Sequence, residues 1–420
     1  MRTFRIIVLL AVVAVLPTLA KAADLAITSS TQYLWYSDPL STKTNQGEAV
    51  EYLRLNSGLD EAGNIRIVGY GRILRQFQTS PESSGANWFG RLYYLSLDYK
   101  DVIKDHFDLR AGRLYVNQAA IPGVVDGLYL NFKNLGFQGF GVTAFGGHRA
   151  VFDNKGEVST SADTLWGASA YLSTALQTHV ELSYARKYDN GAAPGASATS
   201  SLAQEFAALD FSTTPIQQVN VTARGNYDIS QSRVSEVLVQ ANVTPVKQLI
   251  IRGEYYQSLP TFDKWSFYSF FSVTKYQQWK LGGEYQFNPN YKLHVTYADE
   301  IFDTSTNANL WDAGLFLRPV DALTLDLAYQ YRNGYAGNLN GLRLHGTYRV
   351  GTFAVLAGAD YADFKLDTFQ AQMDTNAKKY WVGLSFDFSK YVTVTVRGEE
   401  DFNFYFAHGF QGLAALNVNI

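Results

Sequence analysis

The sequence predicts an all-β protein: a transmembrane antiparallel up-and-down β-barrel of about 22 strands, within a range of roughly 20 to 24, and no plug domain. Four observations predict this fold. Apolar and polar residues alternate along most of the chain, and short and long connections alternate between the predicted strands. Aromatic residues make up 15% of the sequence while charged residues make up only 17%. No apolar run long enough for a spanning helix follows the N-terminal segment.

The N-terminal segment has the features of a secretory signal peptide. A basic start precedes an apolar stretch over 6–16, and Ala20-Lys21-Ala22 supplies the small-residue cleavage pattern. We therefore expect residues 1–22 to be removed and residues 23–420 to form the barrel. The cut removes three cations and no anion, so the formal net charge changes from −3 to −6. This mild acidity argues against a nucleic-acid partner.

The alternation has a period of two residues, as in a β-strand with one apolar face and one polar face. Over 323–332, leucine and tyrosine occupy the odd positions, while Asp326 and Arg332 are among the even ones. A soluble β-sandwich would show the same pattern with the apolar face inward. Long predicted strands, aromatic residues at strand ends and the alternating connections favour the barrel. The protein is therefore expected to span the outer membrane and contact its lipid.

The strands are delimited by their turns. Pro215, Pro245, Pro289 and Pro319 lie in tight connections, where proline ends a strand. An even strand count places both termini on the periplasmic side. The predicted strands are 26–36, 49–59, 63–77, 88–100, 106–116, 124–133, 137–148, 163–174, 177–188, 202–213, 216–228, 233–244, 248–259, 275–287, 291–300, 309–318, 322–332, 340–350, 353–361, 378–388, 391–400 and 408–420.

Charged residues on the polar faces are candidates for lining the lumen. They could select solutes or contact something inside the barrel, although a water-filled barrel needs polar walls in any case. Their mixed signs predict little selectivity between anions and cations. The candidates are Arg54, Arg66, Arg110, Arg224, Arg252, Glu254, Lys280, Glu284, Asp326, Arg332, Arg343, Arg349 and Arg397.

The sequence contains no pattern that indicates catalysis. It has no cysteine, its six histidines are widely spaced, and no nucleophile, paired-carboxylate or phosphate-loop motif is found. We therefore expect no enzyme, no metal site and no cofactor bound by this chain.

Two segments break the alternation. In the first, Arg113 would face lipid unless Gly112 marks a bulge; this stretch, with Val125-Asp126-Gly127, is similar to a Gly-Arg strand and Asp-Gly turn of several porin-like families. The second is the loop 259–274, whose aromatic residues suggest either a partner contact or a thicker aromatic girdle. Its partner-contact candidates are Phe262, Trp265, Phe267 and Tyr268.

The strand number predicts a wide lumen. With strands about 4.8 Å apart and tilted by about 40°, 22 strands close at a backbone diameter of roughly 40 Å. The first predicted strand starts directly after the signal, which leaves no room for an N-terminal plug of the kind found in TonB-dependent transporters. No connection is obviously long enough to fold into the lumen as a constriction, so we expect either another occupant or a smaller number of strands.

In its whole-chain pattern, an unplugged barrel of about 400 mature residues with compact loops and no cysteine, the chain resembles the barrel subunit of the porin–cytochrome conduits of Geobacter-type metal-reducing bacteria. The resemblance implies a sheath around a multihaem c-type cytochrome, with haem supplied only by that partner. Periplasmic and extracellular multihaem cytochromes would dock at the two ends. The alternative is a passive diffusion porin for small hydrophilic solutes, which requires fewer strands or an inward-folded loop. A structural or adhesion barrel is disfavoured by the short loops.

Overall fold

The computed structural model describes eleven stretches of the chain. Within them, no helix is long and apolar enough to cross a membrane. The expected signal peptide, residues 1–22, and the partner-contact candidates Phe262, Trp265, Phe267 and Tyr268 lie outside the described residues. The described stretches are 25–37, 45–77, 88–152, 158–175, 177–189, 201–260, 274–302, 306–335, 337–365, 374–403 and 406–420.

The described residues form one antiparallel sheet of 22 strands, which confirms the predicted number. Four strands reach 16 residues and are longer than the alternation alone indicated. The strands are β1 (Leu25–Ser37), β2 (Asn45–Gly58), β3 (Ile65–Gln76), β4 (Trp88–Ile103), β5 (Phe107–Asn117), β6 (Pro122–Phe132), β7 (Phe140–Phe152), β8 (Val158–Ser173), β9 (His179–Asp189), β10 (Ser201–Ile216), β11 (Val219–Asp228), β12 (Arg233–Val246), β13 (Leu249–Ser258), β14 (Tyr276–Asn288), β15 (Tyr291–Phe302), β16 (Thr306–Val320), β17 (Leu323–Gly334), β18 (Asn338–Val350), β19 (Phe353–Lys365), β20 (Asp374–Ser389), β21 (Val392–Asn403) and β22 (Phe406–Asn419).

The first and last strands close the barrel. β1 pairs with β22 from Thr28 opposite Asn419 to Tyr36 opposite Gln411. Below this ladder, the backbones of Ile27 and Ile420 exchange two hydrogen bonds of 2.9 Å each. All other neighbouring strands pair in chain order, so both ends of the barrel chain lie at the same rim.

Proline interrupts the ladder next to the tight turns of that rim. Pro215, Pro245 and Pro319 each lie inside a local register shift, just before a two-residue turn. Pro289 lies in the β14–β15 turn itself. Because proline has no amide hydrogen, it can occupy these irregular positions without leaving a donor unpaired. The predicted turns are therefore present, with three of the prolines shifted into the ends of strands.

The two faces of the sheet differ as the alternation predicts. On β14, the outward column includes Trp279, Leu281 and Phe287, which are 56%, 60% and 58% exposed. The inward column of the same strand includes Lys280 and Glu284. This arrangement recurs around the barrel, which is therefore apolar outside and polar inside.

The tip of the β5–β6 hairpin leaves the wall and folds into the lumen. β5 pairs with β4 only as far as Arg113, and β6 pairs with β7 only as far as Val125. Beyond these points the two strands pair only with each other. We call residues 114–125 the lumenal hairpin. The expectation that no connection folds inward is wrong, because a short hairpin without a long loop is sufficient.

A row of glycines allows the hairpin to bend. Gly112, Gly127 and Gly147 lie directly opposite one another on β5, β6 and β7. A Cβ atom on Gly127 would lie 2.0 Å from the carbonyl oxygen of Gly146. Gly112 also has a φ of 123°, which an L-residue with a side chain adopts only under strain. The three backbones approach too closely at this row for any side chain.

Apolar packing holds the lumenal hairpin against the inner wall. Leu114, Val116 and Val125 are at most 1% exposed. They belong to one buried cluster with residues of β7 to β10, namely Phe145, Leu165, Ala185, Phe206 and Ala208, and with Ala119, Ala120 and Ile121 of the tip. Burial of one such leucine or valine side chain stabilises by about 1.5 to 3 kcal/mol. The fold therefore has a small conventional core inside an otherwise polar barrel.

The glycine row leads to a test with a matched control. Gly127→Ala should lower the free energy of unfolding by about 2 kcal/mol or more, because the backbone of β7 has to move away from the new methyl group. The measurement is urea unfolding of the protein in detergent micelles, followed by tryptophan fluorescence. Gly225→Ala is the control, since a Cβ at that position meets no atom within 4 Å. Equal effects of the two substitutions would contradict the assignment of the glycine row as a steric requirement.

Candidate functional site

The inner wall is the candidate functional site. The cross-strand register places all thirteen candidate lumen residues on the face that also carries the buried cluster. Two of them lie close to each other: Arg343 on β18 and Asp326 on β17, whose charged atoms are 3.4 Å apart. Three others, Arg252, Glu254 and Lys280, adjoin one another on β13 and β14, and the remaining eight are distributed around the barrel.

Most of these candidates contact a group that the sequence analysis did not select. Five arginines form ion pairs with a carboxylate on the same strand or on a nearby one. These pairs are Arg110 with Asp98 at 3.3 Å, Arg224 with Asp210 at 2.8 Å, Arg332 with Glu300 at 3.0 Å, Arg349 with Asp387 at 2.7 Å and Arg397 with Glu399 at 2.7 Å. Alternation alone could not identify the partners on other strands, because it gives the face of a residue but not the register between strands.

The other candidates have varied surroundings. Glu284 lies 3.5 Å from Lys292, and Arg54 lies over the ring of Tyr70. Arg66 donates a hydrogen bond to the carbonyl oxygen of Gly63 in the β2–β3 turn. Glu254 accepts a hydrogen bond from the side-chain amide of Gln240 at 2.6 Å. Arg252 and Lys280 form no ion pair with any described residue.

The charges of β18 to β21 form a nearly continuous ladder of alternating sign. Arg343 and Lys379 lie directly opposite Asp360 on its two sides, and the imidazole of His345 contacts Asp360 at 2.9 Å. Lys379 in turn lies 3.2 Å from Glu399 and 3.3 Å from Asp401. Neighbouring charges on this part of the wall therefore neutralise one another. Such a surface is polar and hydrated but has little net field of either sign.

A second polar cluster lies at the rim that carries the chain ends. Lys133, between β6 and β7, contacts Asp101 at 2.6 Å and Asp108 at 2.7 Å. Partial burial alone would lower the pKa of Lys133, but hydrogen bonds to these two carboxylates outweigh it and raise the pKa. This ammonium therefore remains charged and ties the β4–β5 and β6–β7 turns together.

Polar contacts also fix the tip of the lumenal hairpin. The side-chain amide of Gln118 donates hydrogen bonds to the hydroxyl oxygens of Thr143 at 2.7 Å and Ser169 at 3.2 Å. All three residues are buried. A buried amide requires partners of this kind, so Gln118 determines where the tip rests on β7 and β8. A recess of about 300 Å³ beside it is lined by Arg110, Tyr129 and Glu181, among others.

An ion pair at the base of the lumenal hairpin corrects the expectation for Arg113. The register of β5 does not slip at Gly112, so there is no bulge and Arg113 keeps its outward position. Its side chain is nevertheless covered: it is only 12% exposed and forms two 2.6 Å hydrogen bonds with Asp126. The carbonyl oxygen of Leu92 accepts a further hydrogen bond from it. The pair closes the wall where the hairpin leaves β4.

The sequence analysis missed the lumenal hairpin, although a signal for it exists. Residues 114–125 are apolar at both odd and even positions, unlike the flanking parts of β5 and β6. A strand segment with two apolar faces must be covered on both sides. A strand in the barrel wall has one face toward the polar lumen, where an apolar face would stay uncovered. Within the described ranges, no group of three or more His, Asp or Glu residues is arranged to hold a metal ion.

The ion pair at the base of the hairpin gives a second test. Arg113→Met should destabilise the protein by about 3 to 5 kcal/mol, because it leaves the Asp126 carboxylate poorly compensated in a covered position. Arg349→Met is the control: its ion pair with Asp387 is much more exposed, and such pairs contribute about 1 kcal/mol or less. Urea unfolding in micelles measures both. Similar losses for the two variants would show that the Arg113 contact is an ordinary surface ion pair.

No protein-family model matches the chain, and neither does any curated protein sequence. Solved structures are similar to it in fold. The ferric enterobactin receptor PfeA of Pseudomonas aeruginosa has a TM-score of 0.59 at 9% identity, with 95% of this chain and 82% of the receptor chain covered. The translocation pore of the P pilus usher PapC has a TM-score of 0.53 at 8% identity, with 94% and 100% covered. At these identities the likeness shows a shared fold: the chain is a closed antiparallel barrel of the architecture found in PfeA and PapC.

Proposed function

We propose that this chain forms a channel across the bacterial outer membrane and that the channel is the sheath of a multihaem c-type cytochrome. The outward face supports the membrane location. It carries a dense set of exposed apolar and aromatic side chains, such as Leu281 and Phe388, which are 60% and 65% exposed. Contact of this surface with water would be unfavourable, while lipid would cover it without cost.

The dimensions of the strands support the same location. Strands of 10 to 16 residues, tilted by about 40°, rise roughly 25 to 40 Å along the barrel axis, which matches the thickness of a bilayer with its interfaces. The rim with the tight turns and both chain ends corresponds to the periplasmic side, and the other rim to the cell exterior.

The closure of 22 strands into one barrel is the observation that carries the sheath proposal, because the strand number determines the width of the lumen. A backbone diameter of roughly 40 Å leaves about 30 Å between opposite side chains, and the lumenal hairpin occupies about 10 Å of it along one side. The remaining space, about 20 Å across, accommodates a protein segment. Left unoccupied, it would also let large solutes pass and compromise the membrane as a barrier.

The chemistry of the wall suits a protein occupant. Most charges of the inner wall are already paired with one another, so an enclosed protein would meet a hydrated, nearly neutral surface. The chain has no cysteine for covalent haem attachment. In this proposal the barrel insulates a haem chain from lipid, every haem belongs to the partner, and periplasmic and extracellular multihaem cytochromes dock at the two rims.

A second candidate function has an observation of its own. The lumenal hairpin narrows the barrel from inside, which is the feature that a passive diffusion porin for small hydrophilic solutes would need. In that case the hairpin would determine the size limit, and the paired charges of the wall would give weak ion selectivity.

Purification from native outer membranes in mild detergent separates the two candidates. A Soret absorbance band that co-elutes with the barrel at a fixed ratio is the result expected for the sheath. A colourless preparation that opens ion-conducting pores in planar bilayers would overturn the sheath proposal and leave the diffusion porin.

The diffusion porin makes a further prediction about the lumenal hairpin. Replacement of Leu114 and Val116 by alanine removes buried contacts worth about 2 to 5 kcal/mol per large side chain and should loosen the hairpin from the wall. The single-channel conductance of the full-length chain should then become larger or unsteady. Leu281→Ala on the outward face is the control and should leave the conductance unchanged. If the double variant conducts like the unaltered protein, the hairpin does not limit the pore.

A further inference from the structure

A recess of about 620 Å³ lies on the inner wall at β12 to β15, outside the contacts of the lumenal hairpin. Its lining is mostly polar and includes two cations, Arg252 and Lys280, that form no ion pair with any described residue. The lining residues are Gln240, Asn242, Thr244, Ile250, Arg252, Gly253, Glu254, Lys280, Gly282 and Thr296.

The two cations of this recess differ from the arginines of the wall that form ion pairs. Arg252 on β13 and Lys280 on β14 are both exposed to the lumen. The five arginines described above have a carboxylate partner within 3.3 Å. No carboxylate among the described residues lies within 4.0 Å of Arg252 or Lys280. Their hydrogen-bond donors therefore remain available to a ligand.

The acids nearest to the recess are engaged elsewhere. Glu254 lies directly opposite Lys280 in the register, but its carboxylate accepts the 2.6 Å hydrogen bond from Gln240. Glu284 contacts Lys292, and on β16 Asp312 contacts His294 at 3.0 Å. Glu254 offsets one of the two positive charges, so the recess keeps about one net positive charge.

A glycine gives the recess its floor. Gly282 lies directly opposite Arg252 and two residues along β14 from Lys280, on the same face of the sheet. Its other neighbour is Thr296, whose hydroxyl oxygen would lie 3.0 Å from a Cβ added to Gly282. The absence of a side chain here leaves space beside a guanidinium, an ammonium and a hydroxyl group.

We propose that this recess binds a carboxylate group. Arg252 supplies a planar pair of donors that fits a carboxylate, and Lys280 adds a second charge to it. Glu254, which also lines the recess, disfavours a ligand group with two negative charges, such as phosphate. The carboxylate could belong to a free organic acid or to an acidic side chain or haem propionate of an occupant. The site does not depend on whether the lumen holds water or a cytochrome, and so it goes beyond the proposed function.

Binding of succinate to the full-length chain in micelles tests the proposal. Saturation-transfer NMR should give saturable binding of succinate, and Arg252→Gln or Lys280→Gln should each weaken it by about tenfold. Arg343→Gln is the matched control, because it removes one positive charge from the inner wall at another position and should have little effect. Succinamide, which has the same shape without the charges, should not bind.

A substitution that changes no charge tests the geometry. Gly282→Val should weaken succinate binding about as strongly as the loss of a cation, because its side chain fills the recess. Folding of each variant is checked by the heat-dependent shift of the barrel in gel electrophoresis. Equal weakening by Arg252→Gln and Arg343→Gln, or equal binding of succinamide, would overturn the site.

The source of the carboxylate is distinguished with protein from native membranes. If an occupant supplies it, succinate binds to the chain produced alone but not to the native preparation. If a free organic acid is the ligand, both preparations bind succinate equally. Either result supports the recess as a carboxylate site, and absence of binding to the chain produced alone overturns it. None of these readouts depends on haem or on conductance, so failure of the site and failure of the sheath proposal remain separate.

Discussion

The pairing of β1 with β22 is the contact on which the rest of the structure depends. An open sheet of 22 strands would expose two long rows of unpaired amide and carbonyl groups, and in lipid each such group would cost several kcal/mol. Closure removes both edges at once. It also gives the sheet an inside and an outside, so that a simple alternation of residues becomes a polar lumen within an apolar surface. The number of strands then determines the width of the lumen.

Inside the barrel, charged groups are stabilised by ion pairing and apolar groups by packing under the lumenal hairpin. Around most of the wall, arginine and lysine are matched with a carboxylate on the same strand or on a nearby one, as Arg332 is with Glu300. Along β7 to β10, the lumenal hairpin instead covers an apolar patch and forms a small core. The ion pairing keeps the wall hydrated and nearly neutral. The packing fixes a backbone element inside the lumen, where a loop of similar length would be free to move.

Much of the fold follows from the sequence, because period-two alternation and turn residues are local signals. They predict the strand number, the faces of the strands and the position of residues such as Arg252 and Lys280 on the polar face. The ion-pair partners could not be predicted in the same way. Asp98 lies opposite Arg110 only because the β4–β5 turn fixes the register, and alternation does not contain that information. The candidate recess depends on four adjacent strands in register, so its composition became visible only in the structure.

The lumenal hairpin was missed for a different physical reason. The alternation lapses at Arg113, but each residue of 114–117 considered alone is still compatible with a wall strand. What removes the hairpin from the wall is the meeting of Gly112, Gly127 and Gly147 across three strands. That row is nonlocal, and it is recognisable only once the pairing is known. Within the sequence itself, the departure of the hairpin from the wall is indicated only by the apolar residues on both faces of 114–125.

The contacts of the lumenal hairpin also have a consequence for the order of assembly. Its buried cluster uses residues 114 to 208, so every apolar partner belongs to one consecutive part of the chain. The hairpin can settle on a curved sheet of β5 to β10 while the remaining strands are still unpaired. Threading it through a finished ring is then unnecessary. An internal support that forms on an open sheet would hold the curvature of this sector while β11 to β22 are added and the last strand meets the first.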